Sequence, residues 1–335
     1  MLKVLAVTSW GNACGIADYC GQLDRAIKQE QLEIRLAPCA ECLDPAHVIL
    51  KHLDADLCWL NHHAVLHSRL MPDHVQQIQD RGVPVVATLH DTRTGLLGAE
   101  NSDQLLGLWE VCDVTIVHEP VADMPRVHVL RQGIPPAQGA MQYGSGRNEG
   151  LRFKQFGRQP VLGTLGFNFP WKCYDQLCQT CVEAGWAQVI LSNNATSEDA
   201  ARWRSINPWI QVVHGFLPSP QAVSYLTGCD ATAFCYQCQN NGTSGAIRHG
   251  IATRKPVYAF RGCRQFGDLQ HLEDVELDQR LIRWVDDFHE LGRKLRTDPV
   301  VAVDPGMVYL AERDGWHRQA SAYAQIFEGA MEAQR

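Results

Sequence analysis

The feature that most constrains this chain is a rhythm that occurs twice. Short apolar runs of strand length alternate with helical patterns, which specifies parallel sheets flanked by helices. In the first half, strands are expected at Leu2–Thr8, Glu33–Ala37, Asp56–Asn61, Val83–Leu89, Val114–Val117 and Val127–Leu130, with helices such as Ile16–Glu30 and Arg69–Arg81 between them. The stretch Gly133–Pro160 breaks the rhythm. It holds Pro135-Pro136 and Gly144-Ser145-Gly146, shows no periodicity and reads as a linker. A second alternation follows, with strands at Pro160–Leu165, Ala187–Leu191, Ile210–Val213, Ala231–Cys235 and Pro256–Phe260. It ends in a long helix at about Trp316–Ala333, placed to pack back on the first domain. A chain of 335 residues is long for one core and suits two. The expected domains are residues 1–150, with the linker at about 133–159, and residues 160–335.

Charge and composition narrow the function classes. Residues 1–150 hold 11 Lys and Arg against 18 Asp and Glu, while residues 151–335 hold 19 of each, so the first half carries the whole net charge of −7. A nucleic-acid binder or a protein held on anionic lipid shows a basic excess, and the totals show none. No apolar run reaches the roughly 18 to 20 residues that span a bilayer. The opening run Leu2–Val7 reads as a strand, not a signal peptide, so a cytoplasmic setting is expected. Thirteen cysteines include three C-x-x-C pairs: Cys39 and Cys42, Cys178 and Cys181, Cys235 and Cys238. The pairs lie far apart, unlike the paired knuckles of a zinc site, and read as scattered reduced thiols.

Three glycine loops carry the chemistry. The first, Trp10 to Tyr19, contains Gly15, Ile16 and Asp18 and opens a helix, where backbone N–H groups favour an anion. It lacks the G-x-G-x-x-G spacing of a nicotinamide site. The second, Gly163 to Lys172, ends in a lysine that can reach a phosphate as a compact charge, with a solvated lysine opening a helix as the plainer reading. The third runs from Asn240 through Asn241, Gly242, Thr243, Ser244 and Gly245 to Arg248 and His249. There Thr243, Ser244 and Gly245 offer backbone donors to a diphosphate, with a solvated basic face as the plainer reading. Histidines and aspartates gather just after strands: His62, His63 and His67, then His90 and Asp91. In doubly wound sheets those carboxyl ends border the ligand crevice. The histidine cluster suits acceptor contact or packing better than a metal. Asp54 and Asp56 mimic a metal-binding D-x-D but precede a buried strand, which favours a structural role.

Taken together, these pieces resemble the glycosyltransferases of the GT-B fold, family 4 or group 1. The matching segments are Gly15–Tyr19, Thr88-Leu89-His90-Asp91, Arg131-Gln132-Gly133-Ile134-Pro135 and Gly166 to Lys172. Cys229-Asp230, Ser244 to Arg248 and Lys255-Pro256-Val257 continue the match. The resemblance implies two Rossmann-like domains facing across a cleft, a nucleotide-diphosphate sugar held mainly by the second and an acceptor held mainly by the first. It also implies retention at the anomeric carbon, no metal and no further cofactor. Lys172 matches the family's phosphate lysine. Phe167 stands where an arginine is expected, leaving Arg248 or Arg264 to take that part. Asn241 and His249 stand where the family has two glutamates; both can hydrogen-bond hydroxyls, and neither is an acid.

The expected catalytic set is therefore His90, Lys172 and Asn241. Gly15, Ile16, Asp18, His62, His63, Asp91, Thr243, Ser244, Gly245, Arg248 and His249 are expected to bind substrate. The partners expected are a nucleotide sugar and a soluble acceptor, with no nucleic acid and no strong membrane association. Two rivals remain: an epimerase or hydrolase using Asp18 or Asp91, and a catalytically silent nucleotide-sugar binder.

Overall fold

The computed structural model describes residues 2–9, 15–28, 32–38, 51, 54–62, 70–90, 107–119, 126–137, 156–237, 243–270 and 281–334. The chain forms two compact units. The first comprises Met1–Gly133, Asn240–Thr243 and Trp316–Arg335, and the second Ile134–Gln239 and Ser244–Gly315. The expected α/β class holds in both, each unit being built on a six-stranded parallel sheet.

In the first unit the strands are β1 (Leu2–Thr8), β2 (Leu32–Pro38), β3 (Leu57–His62), β4 (Val85–Leu89), β5 (Val114–Val117) and β6 (Val127–Val129). Their order is β2-β1-β3-β4-β5-β6. Strands β3 and β4 are buried along their whole length, as near-continuous apolar runs covered on both faces should be. Val83 lies outside β4 because Pro84 has no N–H for the ladder; its carbonyl accepts from Cys58, and pairing starts at Val85. Helix α1 (Gly15–Ile27) buries Tyr19, Cys20, Leu23 and Ile27. These pack with Ala320, Tyr323 and Phe327 of the last helix, Trp316–Glu332, over Leu57 and Trp59 of β3. The C-terminal helix thus belongs to the first unit. On the other face, helix α2 (Pro72–Gln79) packs Val75 and Ile78 with Leu108, Trp109 and Cys112. Pro72 sets its start, because proline's fixed φ and missing N–H suit the first helical position. Gly133 is glycine because a Cβ there would overlap the Trp316 ring.

In the second unit the strands are β7 (Val161–Leu165), β8 (Ala187–Ser192), β9 (Ile210–His214), β10 (Ala231–Phe234), β11 (Val257–Phe260) and β12 (Arg283–Val285). Their order is β12-β11-β10-β7-β8-β9. The three-residue β12, which opens on the charged Arg283, has no counterpart among the expected strands. The helices are α3 (Tyr174–Ala184), α4 (Ser197–Ile206), α5 (Ser219–Thr227), α6 (Gly245–Ala252), α7 (Phe288–Thr297) and α8 (Pro305–Arg313), and the last helix of the chain is α9. Their starts follow from sequence. Thr196 and Asp199 form a reciprocal capping box for α4, and Asp287 and Asp304 cap α7 and α8. The main core lies over β10 and β11, around Phe234, Ile247, Ile251, Tyr258 and Trp284.

Among the described residues no helix is long and apolar enough to cross a membrane. None of them forms a cluster able to hold a metal ion. The nine described cysteines that are free are buried, Cys178 and Cys181 on α3 among them. Asp56 serves the sheet: its carboxylate accepts from the Lys3 amide at 2.8 Å. Cys39, Cys42 and Cys238 lie outside the described residues, as does most of the expected linker.

Candidate functional site

In the first unit β1 lies between β2 and β3, so the chain leaves β1 in opposite directions. A crevice opens at the carboxyl ends beside such a switch point. Thr8 ends β1, Asn61 and His62 end β3, and His90 and His118 follow β4 and β5 directly. Asn61 ties these ends together. Its Nδ2 donates to Thr8 Oγ1 and to the Ile16 carbonyl in the first turn of α1, both at 3.1 Å. Its Oδ1 lies 2.7 Å from His90 Nε2. His90 Nδ1 is 3.2 Å from His118 Nε2, and His118 Nδ1 is 2.8 Å from the Leu130 carbonyl. The Tyr19 ring stands edge-on to His90, with centroids 4.8 Å apart. Its hydroxyl lies 2.6 Å from that of Tyr323, which lies 3.1 Å from Thr88 Oγ1. Thr88 Oγ1 also accepts from Trp59 Nε1 at 2.9 Å. Burial holds the Tyr323 phenol neutral far above the usual tyrosine range.

The sequence placed His90 as a contact to substrate. In the structure it is 6% exposed and both of its ring nitrogens face protein groups. The register explains this: Asn61 pairs with Thr88 on the neighbouring strand, so by the two-residue alternation its amide lies on the same face as His90, two positions further on. His62 is buried, and its carbonyl accepts from the His90 amide at 3.2 Å. Asp18 accepts from Gln22 at 2.6 Å. Gly15 opens α1.

In the second unit the switch point lies between β7 and β10. Tyr236, just past β10, donates its hydroxyl to the Leu165 carbonyl at the end of β7, at 3.2 Å. Burial pushes this phenol well above the usual tyrosine range. The ring face of Tyr236 receives Lys172, whose ammonium sits 3.1 Å from the ring centre. Lys172 ends a short 3-10 turn, Pro170–Lys172, and is 8% exposed. Gly166 lies beneath it with φ of 150°, a conformation that other residues rarely adopt. A Cβ on Gly166 would sit 3.3 Å from the Tyr174 hydroxyl and 3.5 Å from Lys172 Nζ. The Tyr174 hydroxyl is buried and has no hydrogen-bond partner among the described residues. The loop thus brings together a glycine backbone, an ammonium and a phenol. Beside them Phe167, Phe169 and Trp171 stack in near-parallel, with centroids 5.5 and 4.5 Å apart, and Phe169 is 38% exposed.

Other expected site residues are engaged elsewhere. Arg248 is 2% exposed; its guanidinium pairs with the buried carboxylate of Asp268 and donates to the Ser244 carbonyl at 2.9 Å. It holds the start of α6 rather than facing solvent. The Ser244 amide donates to the Gln265 carbonyl at 3.0 Å, so this backbone donor is occupied. His249 is buried, with Nδ1 donating to the Gly245 carbonyl at 2.9 Å and Nε2 facing Ser219 Oγ at 2.7 Å. Thr243 is half-buried and groups with the first unit. His63, Asp91 and Asn241 lie outside the described residues. Asn61, His118, Tyr174 and Tyr236 were missed. Three of them had the signal that singled out His90, since Asn61, His118 and Tyr236 stand at or just after a strand end.

The sequence matches no protein-family model and no curated protein. Solved structures do match its fold. A UDP-forming α,α-trehalose-phosphate synthase from Burkholderia vietnamiensis superposes with a TM-score of 0.67 at 9% identity, covering 100% of this chain and 99% of that one. A trehalose-6-phosphate structure from E. coli bound with UDP-2-fluoro glucose gives 0.65 at 10% identity over 96% and 98%. A glycosyltransferase involved in avilamycin A biosynthesis gives 0.59 at 13% identity over 99% and 98%. At these identities the likeness establishes the architecture alone, which is that of two Rossmann-like units of the GT-B kind.

Proposed function

We propose that the protein is a glycosyltransferase that moves a sugar from a nucleotide-diphosphate donor to a soluble acceptor in the cytoplasm, with retention at the anomeric carbon and without a metal. The observation that carries this reading is the ammonium of Lys172, held over Tyr236 beside the Gly166 backbone at the switch point of the second unit. A fixed cation against a side-chain-free backbone suits a diphosphate, which approaches closely and gains charge as it leaves. When the bond from the anomeric carbon to the phosphate oxygen breaks, its electron pair goes to that oxygen, and Lys172 offsets the added charge. The leaving phosphate takes the acceptor hydroxyl's proton. The stacked Phe167, Phe169 and Trp171 border the loop where the family resemblance implies an arginine, leaving Lys172 as the principal cation. A structural neighbour's bound UDP-2-fluoro glucose supports a donor of this class.

The test is a panel of nucleotide sugars read by thermal shift and by release of nucleoside diphosphate, with and without a set of soluble sugars and sugar phosphates. The reading expects one donor to raise the melting temperature and to release diphosphate only with an acceptor. Release without acceptor assigns a hydrolase, conversion of the donor sugar assigns an epimerase, and stabilisation alone assigns a binding protein. Absence of any stabilisation removes the donor site.

A further inference from the structure

The hydrogen bonds around His90 and His118 fix a proton count. The outer partners accept only. The Leu130 carbonyl has no proton to give, so His118 Nδ1 carries one. Asn61 is oriented by the Ile16 carbonyl, which its Nδ2 must face, so its Oδ1 is the atom toward His90 and His90 Nε2 carries a proton. Between the rings, His90 Nδ1 and His118 Nε2 stand 3.2 Å apart, a distance that needs a proton on one of them. Three bonds therefore require three N–H groups on four ring nitrogens. Two neutral imidazoles supply two.

We infer that His90 and His118 share three ring protons and act as one buried cation, in which His118 is a positioning residue that holds His90 for the transfer reaction. The proton count stands by itself; its bearing on turnover rests on the transferase reading above. The pair is locked in place. Tyr19 packs on both rings, and Tyr19 is itself braced by Trp316 at 4.8 Å and by the Tyr323 hydroxyl. Among the described residues, the ionisable groups on the surrounding elements include Asp18, Tyr19 and Cys20 of α1, His62 at the end of β3, Glu119 after His118, Arg131 after Leu130 and Tyr323 of α9. Tyr323 stays neutral by burial, and Asp18 bonds Gln22. The cation lies at the carboxyl ends of β4 and β5, beside the first turn of α1, and with its N–H groups engaged inside the protein it acts on a bound ligand through its charge. Loss of the third proton as pH rises leaves two lone pairs facing each other and releases His90 from His118.

The sharpest test is long-range nitrogen-proton NMR of the full-length protein with 15N-labelled histidine, from pH 5 to 9, with His90→Gln and His118→Gln providing assignments. At pH 7 the expected pattern is His90 Nε2 and His118 Nδ1 fully protonated and the two facing nitrogens sharing one proton. Both rings then leave that plateau together, as a coupled pair must. Turnover falls across the same pH step, and His118→Gln shifts the alkaline limb of the profile by at least about one unit toward an ordinary histidine near 6.5. Two rings with one N–H each at pH 7, or separate midpoints, overturn the proposal. An unchanged profile in a folded His118→Gln overturns the positioning role. If that variant does not fold, the wild-type spectra alone decide. The three-proton pattern without transfer sinks the transferase reading and leaves the pair. Transfer without the pattern does the reverse.

Discussion

Lys172 and Tyr236 meet face-on, the ammonium 3.1 Å from the centre of a ring whose own hydroxyl is tied to the Leu165 carbonyl. The ring orients the cation without neutralising it, because a π face carries no formal charge. An arriving anion therefore finds a cation already placed. This arrangement makes the donor half of the proposed site more specific than a lysine near a glycine loop.

Lys172→Ala is expected to lower single-turnover transfer by about 10²–10³-fold, the usual effect of removing one preorganised donor to a leaving group. Lys172→Arg recovers part of this, since a planar fork does not reproduce a compact charge. Melting curves of both variants should lie close to wild type. Retention of most activity by Lys172→Ala would falsify the placement of the donor.

Gly166→Ala is expected to lower both stability and donor affinity. Its φ of 150° is costly for alanine, about 1–3 kcal/mol. The new methyl would also stand 3.3 Å from the Tyr174 hydroxyl, a tight approach, and in ordinary contact with Lys172 Nζ at 3.5 Å. Thermal melts with and without the donor found in the panel separate the two effects. An unchanged melting temperature would show that the loop relaxes freely.

Arg248→Ala is expected to destabilise the protein by about 3–5 kcal/mol, because it leaves the Asp268 carboxylate buried beside no guanidinium. Urea denaturation measures this. The phosphate contact expected from sequence makes the opposite forecast: normal stability with lost nucleotide binding. Arg248→Ala with wild-type stability therefore restores that role.

The buried thiols make stability fall in alkali. Burial pushes Cys112 up to about 12 and Cys20, Cys178, Cys181, Cys229 and Cys235 well above the ordinary thiol range. Below about pH 8.5 these thiols are neutral in both folded and unfolded chains and favour neither. Above it the unfolded chain releases protons that the folded one retains, so each thiol costs about 1.4 kcal/mol of stability per pH unit. The thiols themselves should leave the melting temperature unchanged from pH 7 to 8 and make it drop steeply above pH 9. Iodoacetamide at pH 8 should spare these six cysteines until urea unfolds the chain.

The strands were legible because a buried parallel sheet needs near-continuous apolar runs, such as Val4–Val7 in β1 and Val189–Leu191 in β8. Strand β12 was not, since three residues beginning with Arg283 leave no pattern. Lys172 could be singled out because a glycine turn followed by a lysine is local in sequence. The partner of that lysine could not: Tyr236 reaches it only because β10 lies beside β7 in the sheet, an adjacency that local periodicity does not encode. Arg248 misled for the same reason. A basic residue on a short helix reads as solvent-facing until Asp268, twenty residues on, is folded against it. His90 was picked out by its place after a strand, and His118 occupies the equivalent place one strand over.

The Tyr19–Tyr323 bond joins residues 304 positions apart, within a unit that cannot be closed without α9. During synthesis the strands β1 to β6 emerge first and then wait. From Gly133 to Trp316 is 183 residues, by subtraction of the unit boundaries, which at about 5–20 residues per second is roughly 10–40 s. Throughout that interval the apolar surfaces of Leu57, Trp59 and Ile27 lack the helix that covers them. The second unit is nearly continuous in the chain and has every one of its strands by Val285. The half that is translated first is thus the last to be completed on the ribosome, and chaperone demand should concentrate on its uncovered sheet.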